Sequence, residues 1–372
     1  MAKSNWFKRT SRRRLENLHK LTYLESFCLS LFSRTISKKG ATLYHIVTGK
    51  RTASILYNAQ HYKLSSYFSL FPKLKREQFN YIIEKLDRLG LIKKAEVKEE
   101  YYLTEEGWLY CQQYFSDHTY PVHLNLLSNG TALKQFWRII LLITQVLSES
   151  RYHNSHYLPI EKEWEKQMWL KKWLKQQSKN KQELAEQFGK EWILLLKQLP
   201  SLNAELIVDC LSGHHKIGKT RQQLADSYQL DSFEIELLLL DSLSWIWKVI
   251  EEQQQEVPLF HSIYQAINKE YRGITQSAIV TESYLLEGHS LEETAKLRQL
   301  KFSTVSEHTI ELYIVEPAFD LSLVLSEKDF NTVKQLLEEQ PTIAYHEVVE
   351  KRPEILFLWY RLAQIERNHR NE

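Results

Sequence analysis

The sequence predicts a mainly α-helical protein: an N-terminal winged helix, a helical middle region and a C-terminal helix-turn-helix bundle. Three observations carry that expectation. The 372 residues include only 10 Gly and 8 Pro, which suits helices more than tight β turns or a doubly wound sheet. Apolar residues recur at helical spacing in the long segments, while β-like runs concentrate between residues 91 and 104. The pattern of a 19-residue stretch also recurs, without a gap, 70 positions further on.

Taken in order, "LTYLESFCLSLF" has helical apolar spacing and "ASILYNAQHY" reads as a second, short helix. In "KREQFNYIIEKLDRLGLI", Phe79, Ile82, Ile83, Leu86 and Leu89 form one apolar stripe, and Gly90 stops the helix as the residue after a C-cap does. "LIKKAEV" and "EEYYLT" follow as two short strands with a wing between Lys93 and Tyr101, and "WLYCQQYF" returns to helix. Helix, helix, helix, hairpin is the order of a winged helix. Breaks near residues 121–130 and 258–273 divide the chain into three parts. These are a basic winged-helix domain (1–118), a Trp-rich helical domain (119–265) with a helix-turn-helix-like segment at 216–250, and a C-terminal helix-turn-helix domain (266–372). Seven of the 10 Trp fall within residues 137–247, which supplies the middle part with large apolar anchors.

Residues 213–220, "GHHKIGKT", match the GxxxxGK[ST] spacing of a phosphate-binding loop. That loop works only when a strand precedes it, a helix follows and a parallel sheet surrounds it. "AELIVDCLS" could pass as the strand and "LLLLD" (237–241) as the magnesium-holding run, but the two lie too near each other for a βαβ crossover. The repeat accounts for more of the same residues. "TRQQLADSYQLDSFEIELL" (220–238) lies over "SLEETAKLRQLKFSTVSEH" (290–308), matching Ala225 with Ala295, Gln229 with Gln299, Leu230 with Leu300 and Ile235 with Val305. Each copy opens on a capping box, Thr220 with Gln223 and Ser290 with Glu293. Each is a helix-turn-helix frame in which Thr220 is an N-cap rather than a magnesium ligand.

Charge is unevenly spread. Residues 1–100 hold 21 Lys and Arg against 8 Asp and Glu, and the rest hold 28 against 38. A polyanion-binding surface is therefore expected at the front of the chain. The candidates are Arg12, Arg13 and Arg14 in the leading segment, Lys50 and Arg51, Lys73, Lys75 and Arg76, Lys85 and Arg88 on the third helix, and Lys93, Lys94 and Lys98 in the wing. The second helix of the C-terminal copy, "STVSEHTIELYI", has no Lys or Arg, and residues 282–327 hold 3 basic against 9 acidic side chains. A helix in a major groove needs positive neighbours, so Ser303, Thr304, Glu307 and Glu311 are read as partner-binding candidates.

Other chemistries find little support. Cys28, Cys111 and Cys210 are isolated from one another, which argues against a disulfide framework or zinc module and for a reducing compartment. His153 and His156 lack nearby thiols and read as surface histidines, and His214 and His215 as loop residues. No catalytic constellation, metal site or cofactor is expected. The polar, basic N-terminus does not read as a signal peptide, and the longest apolar run, 136–147, contains Arg138. A cytoplasmic protein without a membrane segment is the expectation, its oligomeric state open.

The segment "EGHSLEETAKLRQLKFSTVSEHTIEL" resembles the helix-turn-helix module found at the C-terminus of some RecQ-type helicases and in the stand-alone YpbB-like family of Gram-positive bacteria. The "G-x-S-x-E-E-x-A" at 288–295, the "ST-x-x-x-H" at 303–308 and the following "LVLSEKDFNTVKQLLEE" carry the likeness. Residues 49–107, from "GK" through a helix ending in "LI" to "LT-x-x-G", look like the winged helix of RecQ helicases. Together these cover about half the chain. The resemblance implies a non-enzymatic DNA-binding accessory protein, binding DNA in preference to RNA, acting beside a RecQ-family helicase in DNA repair or recombination. The chain departs from those helicases in having no motor lobes and no cysteine cluster before the winged helix. A sequence-specific transcription regulator is the alternative expectation, and a nucleotide-binding enzyme using Lys219 a third.

Overall fold

The computed structural model describes residues 21–341 and 343–370; Arg12, Arg13 and Arg14 lie outside the described residues. The protein is mainly helical, and contacts gather it into two units, each built from non-consecutive segments. Among the described residues, the first unit takes those within 21–40, 75–124 and 132–270; the second takes those within 41–74, 125–131 and 271–370.

The first unit starts with α1 (Tyr23–Ser30), capped by a Thr22–Glu25 capping box, and β1 (Lys38–Lys39). Helix α4 (Arg76–Arg88) buries Phe79, Ile82, Ile83 and Leu86, four of the five stripe residues. Gly90 ends it at φ +73°, with the Leu91 amide donating back to the Leu86 carbonyl at 3.0 Å. Strands β2 (Ile92–Lys94) and β3 (Glu100–Leu103) then form the hairpin, and α5 (Glu105–Asp117) starts on the Thr104 cap. The sheet is antiparallel with strand order β1-β3-β2, Lys38 opposite Tyr101 and Lys94 opposite Tyr101 from the other side.

Helix α6 (Leu126–Arg151) enters this unit at residue 132 and is followed by α7 (Trp164–Gln176), α8 (Lys181–Leu196) and α9 (Ser201–Cys210). Then come α10 (Arg221–Tyr228), α11 (Ser232–Glu252) and α12 (Pro258–Glu270). The Trp residues anchor this part: Trp247 meets Phe136 edge-on at 5.4 Å, and Trp173 donates to Ser262 Oγ at 3.0 Å. Arg138 does not sit in hydrocarbon. It forks onto Glu161 at 2.8 and 2.9 Å and reaches Glu163 at 2.7 Å. Among the described residues no helix is long and apolar enough to cross a membrane.

The second unit combines α2 (Gly40–Thr48) and α3 (Ala53–His61) with α13 (Gln276–Leu286), α14 (Leu291–Leu297) and α15 (Phe302–Val315). Helices α16 (Glu327–Glu339), α17 (Tyr345–Lys351) and α18 (Phe357–Arg370) complete it. Helix α15 is its axis, packed by α13, α14, α18 and α3. Every residue from Thr309 to Val315 is buried, on all sides of the helix.

Candidate nucleic-acid interface and helix-turn-helix copies

On α4 the side opposite the buried stripe leaves Gln78, Tyr81, Glu84 and Arg88 exposed. Lys85 turns away from it. Its ammonium lies 2.8 Å from both oxygens of the nearly buried Glu25 on α1. Lys75, at the N-cap of α4, is exposed and Arg76 half-buried. In the hairpin, Ile92 points into the core while Lys93, Lys94 and Lys98 face solvent. Lys94 reaches Asp87 at 3.6 Å, and neither Lys93 nor Lys98 has an ion pair among the described residues. Glu96 and Glu99 share the tip, and Glu99 meets Lys39 at 3.8 Å, so the wing is cationic but mixed. Lys38, one residue before on β1, is buried and donates to the Leu31 carbonyl at 2.7 Å; burial pushes its ammonium down to about 8.

In the second unit Lys50 and Lys73 are exposed. Arg51 and Glu311 were expected on different surfaces with different ligands; they meet. Arg51 Nε lies 2.9 Å from Glu311 Oε1, its Nη2 donates to the Gly273 carbonyl, and its guanidinium covers the Phe68 ring at 5.4 Å. Glu311, 5% exposed, also accepts from the Thr275 amide at 2.8 Å and from its hydroxyl at 2.9 Å, which secures the start of α13. Arg272 likewise holds Glu282 and Glu316. Three of the nine acidic side chains in 282–327 are thus matched internally, and the open acidity is smaller than the count implies.

The two repeats fold alike. Thr220 and Ser290 are N-caps with complete capping boxes on α10 and α14. Gln229 and Gln299 both take the left-handed conformation, φ 56° and 53°, at the turn. The next amide, of Leu230 or Leu300, donates to the carbonyl of Ala225 or Ala295 at 3.2 and 2.9 Å. Ile235 and Val305 are both fully buried under their turns. Seventy positions apart in the second helices, Asp241 and Glu311 are buried acids that each accept a backbone amide, His123 N at 2.6 Å and Thr275 N at 2.8 Å.

What differs is the first turn of the second helix. On α11, Glu234 is 2% exposed and is held by His118 Nδ1 at 3.0 Å and the Thr119 amide at 3.2 Å. The 118–123 segment therefore closes that face. On α15 the equivalent turn is open: Lys301, Ser303 and Glu307 are exposed and Thr304 half-buried. Behind it, Arg298 donates to the Ser277 carbonyl at 2.7 Å and to Thr281 Oγ1, whose hydroxyl lies 2.8 Å from His308 Nδ1.

The octapeptide 213–220 has no phosphate-loop surroundings. Helix α9 precedes it where a strand is required, and it closes through a Gly213–Lys216 bridge. Gly218 is demanded by packing, since a Cβ there would stand 2.0 Å from the Cys210 carbonyl oxygen. Lys219 and Lys216 each reach Asp209 at 2.9 Å, and they hold its carboxyl below its ordinary range. His214 is engaged by Glu149 at 2.7 Å and stacks on Tyr152. His153 and His156 are exposed. Cys28 and Cys111 are buried, the Cys111 thiol pushed up to about 12, far from a reactive thiolate.

Residues 277–362 match the family model described as a helix-turn-helix domain. This match begins at α13 and contains the open copy. The chain is also similar to Protein YpbB of Bacillus subtilis (strain 168), at 24% identity over 292 residues, covering 78% of this chain and 82% of that one. No solved structure matches the chain. The C-terminal region is thus a helix-turn-helix domain, in a chain similar to YpbB over most of its length. Sequence reasoning missed its contacts with Arg51 and α3, which come from far up the chain and leave no local signal.

Proposed function

We propose that this protein is a non-enzymatic DNA-binding accessory factor of the cytoplasm that acts beside a RecQ-family helicase in repair or recombination. The observation that carries this reading is the hairpin beside α4: strand order β1-β3-β2, with Lys93, Lys94 and Lys98 all directed to solvent. Arg88 in the last turn of α4 and Lys75 at its N-cap are exposed as well. Such a wing holds backbone phosphate without reading bases, which fits a factor that follows DNA structure rather than a sequence. The helicase partner follows from the likeness of 288–339 to the helicase-linked module. The open turn of α15, with Ser303, Thr304 and Glu307, is the surface offered to that partner.

Duplex binding measured by anisotropy across a salt series tests the wing. Reversing Lys93, Lys94 and Lys98 to Glu should weaken binding and flatten the log–log salt slope by about 2–3. An unchanged slope would remove the wing from the proposal. Co-purification with the helicase, lost on Glu307→Lys, tests the partner surface.

A second reading, a sequence-specific regulator, draws on the same open turn, because recognition helices contact bases through their first residues. One preferred duplex among many, lost on Ser303→Ala or Thr304→Ala, would favour it.

A further inference from the structure

Helix α7 is the most cationic helix of the first unit outside the wing region, with four Lys against one Glu. Its inner face is fixed: Leu170 and Trp173 are buried, and Lys166 folds inward onto Glu163 at 3.4 Å. The opposite face carries Trp164, Met168, Lys171 and Lys175 at i, i+4, i+7 and i+11, with Lys172 at its edge. Trp164 is 65% exposed and Met168 41%. A Trp left this open in a protein that buries Trp173 and Trp247 is not part of the core. Lys171 Nζ stands 5.4 Å from its ring centroid, and Lys172 and Lys175 are exposed. The acids of α7 and its N-cap weaken the cationic field little: Glu163 is matched by Arg138 and Lys166, and the helix itself carries one acid, Glu165.

We infer that this stripe is a second nucleic-acid site, for a single strand. An exposed indole stacks on a nucleobase only where that base is not already stacked in a duplex, and base–aromatic stacking is sequence-tolerant. Lys171 and Lys175, one turn apart or about 6 Å along the axis, supply charge for consecutive phosphates beside the stacked base. The site goes beyond the wing and does not share residues with it. A protein carrying both would hold duplex at one place and the separated strand at another.

The test uses the full chain with a labelled oligo-dT of about 15 nucleotides, a duplex of equal length, and phosphatidylserine vesicles. Trp164→Ala should weaken oligo-dT binding about 5- to 100-fold, with Trp164→Phe restoring most of it. The triple change Lys171→Glu, Lys172→Glu, Lys175→Glu should abolish oligo-dT binding at moderate salt and leave duplex affinity within about twofold. The wing triple should do the reverse, so failure of one site is distinguishable from failure of the other. Unaltered oligo-dT affinity in both α7 variants, with unchanged thermal melting, overturns the inference. So does vesicle binding through this stripe with no hold on oligo-dT, which would make it a membrane-facing surface.

Discussion

Thr220 shows how little separates a nucleotide signature from a helix start. Its hydroxyl accepts from the Gln223 amide while Gln223 returns a side-chain contact to its backbone, so the residue that would bind magnesium is occupied by the first turn of α10. Thr220→Ala should cost about 1 kcal/mol in urea denaturation, and ATP titration should give the same null signal for wild type and Lys219→Ala; saturable binding abolished by Lys219→Ala would contradict the capping account. His308 makes the second prediction at this scale. Burial and the Arg298 guanidinium lower its pKa, and its Nδ1 lies 2.8 Å from Thr281 Oγ1. The folded state therefore binds a proton less readily than the unfolded chain, so stability is full above the ordinary His range and falls as pH drops below about 6.5. Denaturation midpoints between pH 7.5 and 5 should show that fall, and His308→Gln should remove most of it.

Among the elements, α15 is the case where the second helix of a helix-turn-helix has been half taken into the core. Its last seven residues are enclosed, and Arg51, arriving just before α3, neutralises the acid in their midst. Arg51→Ala should cost roughly 3 kcal/mol, because it strands a buried carboxylate, and Glu311→Gln in the same background should recover part of that. A cost near zero in denaturation would mean that Arg51 is a surface residue, free for phosphate. Lys85 offers a parallel contrast with the wing lysines. Lys85→Ala should lower stability and leave the DNA salt slope untouched, since its charge belongs to Glu25. Helix α4, its Gly90 stop, the hairpin and both capping boxes were legible in the sequence because local periodicity and local hydrogen bonding define them. Strand β1 and helix α2 were not. Two residues of strand have no period, and a nine-residue helix with three buried positions leaves too weak a stripe.

For the molecule as a whole, the second unit is discontinuous. Its helix-turn-helix core takes in α3, where Arg361 covers Tyr57 at 3.9 Å and Asn368 reaches Gln60 at 3.5 Å. A fragment of residues 266–372 should therefore lack a cooperative melt by circular dichroism, and co-expressed residues 41–74 should restore it. A fragment that melts like the whole chain would show that α3 is dispensable. Sequence alone determined the helical class, the repeat, the helix caps and the forward bias of positive charge, because each depends on neighbours within a few residues or on composition. Only the tertiary structure decided which charges remain available. Arg51, Lys85 and Glu311 are matched by residues 60 to 260 positions away, whereas Lys93 and Lys98 have no ion pair among the described residues and Ser303 and Glu307 are exposed. An ion pair leaves no periodic trace in the chain, so its partners become visible only when folding brings them together.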